Sequence, residues 1–163
     1  SFQYDDIENN TQYVWMTERQ FYHNLFSGDG NMVADVVLLS GDWGNAMQLC
    51  YTYKIIKGYL GVAKRDLKMH GNNPKKIFHA QRSLMMAEML LNKELPTIMD
   101  IVNLKQEPLK ERDVLLVYEQ HLRNLLNSIL EDSKISHYPV LNETDELVKV
   151  MVSCNNIVEF KYE

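Results

Sequence analysis

A short stretch of the sequence carries three groups whose types and spacing suit anion binding. Residues 73–96, NPKKIFHAQRSLMMAEMLLNKELP, contain Lys75, His79 and Arg82 at positions i, i+4 and i+7. On a helix, this spacing places the three side chains within about 60° of one another. An arginine binds phosphate as a planar fork, a lysine acts as a point charge, and a histidine adds a hydrogen bond. The spacing therefore predicts an anion clamp along one edge of a helix.

The same positions also have a structural interpretation. An arginine is seldom fully buried without a partner, and most of this stretch is apolar. Arg82 could therefore form a salt bridge with Asp35, Asp66 or Glu88 instead of binding a ligand. Taken alone, His79 is more typical of a hydrogen-bonded core histidine than of a ligand group.

Basic residues concentrate around this stretch, although the chain as a whole is acidic. The formal net charge of the 163 residues is -5. Between positions 54 and 82, eight lysines and arginines accompany a single acid, so this segment carries +7 and the remainder -12. A local basic field attracts phosphate, whereas the alternative is a solvated helix face that happens to be basic. The predicted phosphate-binding or nucleic-acid-binding residues are Lys64, Arg65, Lys68, Lys75, Lys76, His79 and Arg82.

The elements that would position these residues are mostly helices. Apolar residues recur at intervals of three and four over about 45–70, which predicts a long helix in which Gly58 and Gly61 could let another helix pack close. Pro74 suits the first turn of a second helix, which we expect to end near Glu94, before Pro96.

Shorter elements flank these two helices. We expect Thr17 and Thr97 to cap helices, and a long helix to follow Pro108. The apolar stripe predicted for that long helix leaves Glu119 and Arg123 outside it; its members are Leu115, Tyr118, Leu122, Leu125 and Ile129.

Several segments are less regular than these helices. MVADVVLLSG is a short helix or a buried strand, and ETDELVKVMVS is predicted to be a last short helix. TQYVWM and NNIVEFKYE are strands or extended arms. The expected fold is mainly α, a single helical bundle over residues 1–163 with short strands at its ends.

Composition limits the expected cellular location and the expected metal and disulfide chemistry. No run of 18 apolar residues is present and no basic-then-apolar leader precedes the domain, so we expect neither a membrane span nor a secretory signal. Cys50 and Cys154 lack C-x-x-C spacing, which favours an intracellular protein without a disulfide framework or zinc site. The histidines show no metal-binding spacing either, so no metal site is predicted.

The helical stretch resembles a known family. YLGVAKRDLKMHGNNPKKIFHAQRSLMMAEMLLNKELPTIMDIVNL is similar to the C-terminal helical part of predicted nucleotidyltransferases of the DNA polymerase beta superfamily, a group associated with RNA repair. That group has YxxxAKxxxxxYL followed by KKYFYxLRPLLAxxWI and a proline. Upstream, TERQFYHNLFSGDGNMVADVVL resembles LxKFLxLLxxGNPNxxEWL, with Asp35 where the family usually has Glu. The resemblance covers roughly residues 12–130, and the positions that match the downstream pattern are Ala63, Lys64, Lys75, Lys76, Phe78, Arg82, Leu84 and Pro96.

The resemblance implies a function in binding rather than catalysis. The superfamily needs a Gly-Ser turn, a D-x-D pair and a third acid to hold two divalent metals at the triphosphate. The sequence contains neither a Gly-Ser pair nor a D-x-D pair, so we predict no catalytic residue and no cofactor in this chain. Magnesium with a nucleoside triphosphate is expected only if a catalytic domain precedes residue 1 of a longer nucleotidyltransferase-like protein. Otherwise, the helical module would bind RNA, a nucleotide or a protein partner by itself.

Two other functions remain open. RDLKMH, from Arg65 to His70, looks like the R-x4-H signature of HEPN ribonucleases, in which His acts as general acid or base and Arg stabilises the charged phosphate without metal. The third possibility is an interaction scaffold without a ligand, which an exposed apolar patch would mark.

Overall fold

The computed structural model describes residues 2–28, 32–40, 47, 50, 52–131, 140–141 and 159–160. The described part is mainly helical, which confirms the predicted fold class. MVADVVLLS forms a helix, and TQYVW forms a strand. The elements, in chain order, are β1 (Phe2–Asp6), β2 (Thr11–Trp15), α1 (Glu18–Ser27), α2 (Met32–Ser40), α3 (Tyr53–His70), α4 (Pro74–Leu91), α5 (Ile98–Lys105), α6 (Arg112–Glu131), β3 (Val140–Leu141) and β4 (Glu159–Phe160).

The core lies where α3, α4 and α6 pack against one another, with α1 and α2 closing one side. Tyr59 and Leu60 of α3, Leu84 and Leu90 of α4, and Leu115 of α6 are each at most 1% exposed. Burying a leucine-sized side chain contributes about 1.5–3 kcal/mol. The hydrophobic contacts therefore fix α3 and α4 side by side, as a helical hairpin joined by residues 71–73.

The turn of the α3–α4 hairpin is held by α6. The Nε of Arg112 donates a hydrogen bond of 2.7 Å to the carbonyl of Leu67, near the end of α3. The side chain of Asn73 caps α4 by accepting from the Lys75 N–H at 3.0 Å. The side chain of Gln81 accepts from the Lys110 N–H at 3.3 Å, which ties the segment before α6 to α4. These polar contacts set the register between the hairpin and α6.

The two predicted threonine caps are present. Thr17 accepts from the Gln20 N–H, and Thr97 forms a full capping box with Asp100. Several predicted boundaries were wrong. The helix predicted over 45–70 begins at Tyr53, after an extended Thr52, and the helix expected to reach Glu94 ends at Leu91.

Three further predictions about the helices were wrong. Glu119 of α6 is 1% exposed and pairs with Arg123, with Nε donating to Oε1 at 2.9 Å. The buried stripe continues through Leu122 and Leu126, whereas Leu125 is 38% exposed. Among the described residues, no neighbouring helix packs close at Gly61, because a Cβ added there would meet no atom within 4 Å.

The strands form two small sheets. β1 and β2 are antiparallel with Phe2 opposite Trp15, and β3 and β4 are parallel with Val140 opposite Glu159. The helix predicted over ETDELVKVMVS lies outside the described residues. Of the helices that are described, none combines the length and the apolar character that a membrane crossing requires.

Candidate phosphate-binding groove

A groove of about 470 Å³ runs between α2, α3 and α4 and collects most of the predicted site residues. Four of the seven predicted residues line it, namely Arg65 of α3 and Lys76, His79 and Arg82 of α4. The lining also includes two carboxylates, Asp35 of α2 and Asp66 of α3, together with Tyr59 and Ser83. The groove is therefore a mixed-charge site rather than the purely basic one that the sequence predicted.

Arg82 has a carboxylate partner in the groove. Its Nη2 donates to Asp35 Oδ2 at 2.8 Å, and Tyr59 Oη donates to the other oxygen of Asp35 at 2.6 Å. Burial and the Asp35 charge raise the pKa of Tyr59 well above its ordinary value, so the phenol keeps its proton and remains a donor. The arrangement matches the structural interpretation of Arg82. Part of its fork is therefore engaged before any ligand arrives.

Asp66 places a second carboxylate in the groove, and this one has an unsatisfied oxygen. Its side chain is 3% exposed. Nη2 of Arg65 lies 3.5 Å from Asp66 Oδ1, an ion-pair distance without hydrogen-bond geometry, so this oxygen accepts no hydrogen bond within the described residues. A buried acceptor without a donor costs about 1–3 kcal/mol. Asp66 Oδ1 could therefore accept a hydrogen bond from a ligand that enters the groove.

Lys76 contributes a positive charge to the groove, and His79 contributes an imidazole. Burial lowers the pKa of His79, and the nearby charge of Lys76 lowers it further. Asp66 acts in the opposite direction, and Lys75 and Arg82 again lower the pKa. The imidazole is accordingly neutral at pH 7 and can donate one hydrogen bond and accept another.

The remaining predicted residues lie around the end of the α3–α4 hairpin. Lys68 lines a separate hollow of about 730 Å³ at the 71–73 turn, together with His70 and Arg112. Lys64 and Lys75 line neither the groove nor this hollow. In the described part of the chain, none of Lys64, Lys68, Lys75 and Lys76 forms an ion pair. Lys68 and Lys75 are exposed, whereas Lys64 and Lys76 are half-buried.

In the described part of the chain, Arg65 and His70, the pair of the ribonuclease alternative, line two different cavities. Arg65 lines the groove and His70 lines the hollow at the turn. Five positions along a helix rotate a side chain by about 140°, which accounts for this separation. A metal-free ribonuclease site would therefore need a second protomer to bring the two residues together.

Sequence reasoning missed two features of the groove. Asp66 was counted as the one acid in a basic segment, but its spacing from Tyr59 and Ala63 places it on the buried face of α3. This spacing is visible in the sequence, and it could have shown that the Asp66 carboxylate is buried. The Tyr59 hydroxyl gave no such signal, because its partner Asp35 lies 24 residues away in the chain.

Neither a metal site nor a similarity to a known protein indicates what the groove binds. Among the residues that the structure describes, no three His, Cys, Asp or Glu side chains come together in a way that could hold a metal ion. Comparisons with protein-family models, with curated proteins and with solved structures give no match for the chain. The resemblance to the helical part of nucleotidyltransferases therefore stays a prediction.

Proposed function

We propose that the end of the α3–α4 hairpin, together with the mouth of the groove, binds the phosphate groups of a nucleic acid or a nucleotide. The single observation that supports this most is the set of four lysines without an ion pair among the described residues, Lys64, Lys68, Lys75 and Lys76. Unpaired lysines on adjoining turns provide the sequence-independent attraction on which phosphate-backbone binding depends.

The charges in the groove decide where phosphate binds. Within the groove, Arg82 is paired with Asp35, and Arg65 lies next to Asp66, so two cations are offset by two carboxylates. A phosphate deep in the groove would meet these carboxylates at close range, which opposes binding. Phosphate therefore binds near Lys76 and the lysines outside the groove, none of which forms an ion pair among the described residues.

This proposal assigns different roles to the predicted residues. The lysines contact phosphate, and His79, neutral and next to Lys76, can donate a hydrogen bond to the same group. Arg82 acts as a positioning residue, because its pair with Asp35 holds α4 against α2. In this role, the chain binds RNA or nucleotide but does not transfer nucleotides. Any transfer chemistry would come from a catalytic domain or a protein partner that carries the metal-binding carboxylates.

Fluorescence anisotropy with a short labelled RNA tests the proposal. Titrations at about 50 and 200 mM salt would compare the wild type with a Lys75→Ala/Lys76→Ala variant. Four phosphate contacts predict a loss of affinity of about 50-fold between the two salt concentrations. The variant should bind more weakly at about 50 mM salt and lose less affinity when salt is added.

A matched control separates a local effect from a general change in charge. Lys105→Ala/Lys110→Ala removes two exposed lysines from α5 and from the segment before α6 and should leave RNA affinity unchanged. Equal weakening in both double variants, or no binding by the wild type at low salt, would contradict the proposal. Cleavage of the RNA in the same tubes without added metal would favour the Arg65 and His70 ribonuclease instead.

A further inference from the structure

Four aromatic side chains form a ladder on one face of the β1–β2 hairpin. Phe2 lies opposite Trp15 and Tyr4 lies opposite Tyr13, with ring centroids 5.4 and 6.2 Å apart. Tyr13 and Trp15 also stack, with centroids 5.8 Å apart. The four side chains are between 45% and 63% exposed. Alternation along the strand places Asp6 on this same face.

The aromatic ladder does not by itself make a hairpin of this size stable. A two-stranded hairpin is marginally stable in water unless a third strand or another element covers it. Among the described elements, β1 and β2 pack mainly on each other, and no described helix packs extensively on either strand. Within the described residues, the outer edges of both strands are unpaired, because the sheet has two strands. The hairpin therefore offers an open edge next to an exposed aromatic surface.

The charge around the ladder restricts what can cover it. Residues 2–18 contain Asp5, Asp6, Glu8 and Glu18 and no lysine or arginine. Single-stranded nucleic acid stacks its bases on aromatic rings, but it also needs a positively charged path for its phosphates. This surface would repel those phosphates. Aromatic faces beside carboxylates attract cations instead, and guanidinium groups stack best on such rings.

We propose that the β1–β2 hairpin docks an extended, arginine-rich segment of a partner protein. The segment adds to an open strand edge through backbone hydrogen bonds. Its arginines stack on Tyr4, Tyr13 and Trp15, and a guanidinium reaches the carboxylate of Asp6. This surface shares no residue with the phosphate-binding lysines, so the chain can engage a nucleic acid through one set of residues and a basic protein segment through the other.

Two other occupants are less compatible with the charges. A second copy that packed hairpin on hairpin would offer four acids and no lysine or arginine in residues 2–18, so it lacks the complementary charge. The chain from 132 to 163 contains six acids and three lysines, so it lacks the complementary charge. A basic segment from a different protein is the occupant that matches both the rings and the carboxylates.

A labelled peptide of ten alternating arginine and threonine residues provides the probe, with anisotropy as the readout. The intact chain should bind this peptide at least about fivefold more tightly than a lysine–threonine peptide of equal charge, because arginine stacks better on aromatic rings. Tyr4→Thr/Trp15→Thr keeps strand-forming residues and should lower the affinity for the arginine peptide about tenfold. Gln3→Thr/Gln12→Thr, on the opposite face, should leave the affinity unchanged.

The controls also define the results that would overturn the proposal. Glu94→Gln/Glu107→Gln removes two acids at the α5 end of the molecule and should not weaken peptide binding. Equal affinity for the two peptides, or equal losses in the two hairpin variants, would overturn the proposal. So would hairpin-dependent dimerisation in sedimentation or binding of oligothymidylate that the Tyr4→Thr/Trp15→Thr variant loses.

Discussion

Asp35 is the residue on which the geometry of the groove depends most. One of its oxygens accepts from Tyr59 at 2.6 Å and the other from Arg82 at 2.8 Å, so it links α2 to α3 and α4. Side chains of Arg82 and Asp35 are about a quarter exposed, which places their pair between a surface and a buried salt bridge. Their main contribution is therefore to the position of the helices rather than to ligand binding.

Arg82→Ala should lower the free energy of unfolding by about 1–2 kcal/mol, because Asp35 loses its cation while it remains partly buried. Urea denaturation followed by circular dichroism measures this change. Arg82→Lys, which keeps the charge but loses the planar fork, should fall between the wild type and the alanine variant. A stability equal to that of the wild type in Arg82→Ala would show that the pair is not structural.

His79 should make folding pH-dependent in a known direction. Its pKa is lowered from 6.5 in the folded chain, so the unfolded chain binds a proton more readily. The resulting stabilisation is fully present above pH 6.5 and is lost as the pH falls through the lowered pKa. His79→Gln should therefore lose less stability than the wild type between pH 7.5 and 5. Parallel pH profiles for the two proteins in urea denaturation would contradict this assignment.

At the scale of elements, two glycines of the α3–α4 hairpin have opposite roles. Gly61 lies within α3, where an added Cβ would meet no atom of the described residues within 4 Å. At Gly71, an added Cβ would lie 2.2 Å from Cδ of Arg112 and 2.7 Å from the Leu67 carbonyl oxygen. The absence of a side chain at Gly71 thus permits the hydrogen bond from Arg112 that holds α6 on the turn.

The same substitution at these two positions should have opposite effects. Gly61→Ala should stabilise the protein by about 0.5–1 kcal/mol, because alanine favours an exposed helix interior. Gly71→Ala should destabilise it by about 1–2 kcal/mol, because Arg112 must leave the Leu67 carbonyl. Thermal unfolding should show a higher Tm for the first variant and a lower Tm for the second. Destabilisation by both variants would contradict the open space found at Gly61.

Local patterns predicted the helices well and their partners less well. The spacing of apolar residues and the caps at Thr17 and Thr97 depend on neighbours in the chain, so the sequence contains them directly. The pairing of Arg82 with Asp35 joins residues 47 positions apart, and the sequence offered three candidate acids without deciding between them. We predicted Glu119 to lie outside the core because it is charged. It is buried instead, because Arg123, one turn later, pairs with its carboxylate.

At the scale of the whole molecule, charge is separated along the chain. The segment from 54 to 82 carries +7 within a protein of net charge -5. Four of its six lysines, Lys64, Lys68, Lys75 and Lys76, lie in the half of the α3–α4 hairpin nearer the turn, whereas the β1–β2 hairpin carries acids and aromatic rings. Such a separation steers anionic ligands towards one surface and cationic ligands towards another. Each surface can therefore be tested by its own variants.

The salt dependence of RNA binding tests the central claim most directly. For single strands, the slope of log K against log salt is about -0.7 for each phosphate neutralised, so four lysine contacts predict about -2.8. Lys75→Ala/Lys76→Ala should reduce the slope to about -1.4, while Lys105→Ala/Lys110→Ala should leave it at the wild-type value. A slope that the Lys75→Ala/Lys76→Ala variant does not change would contradict phosphate binding at the end of the α3–α4 hairpin.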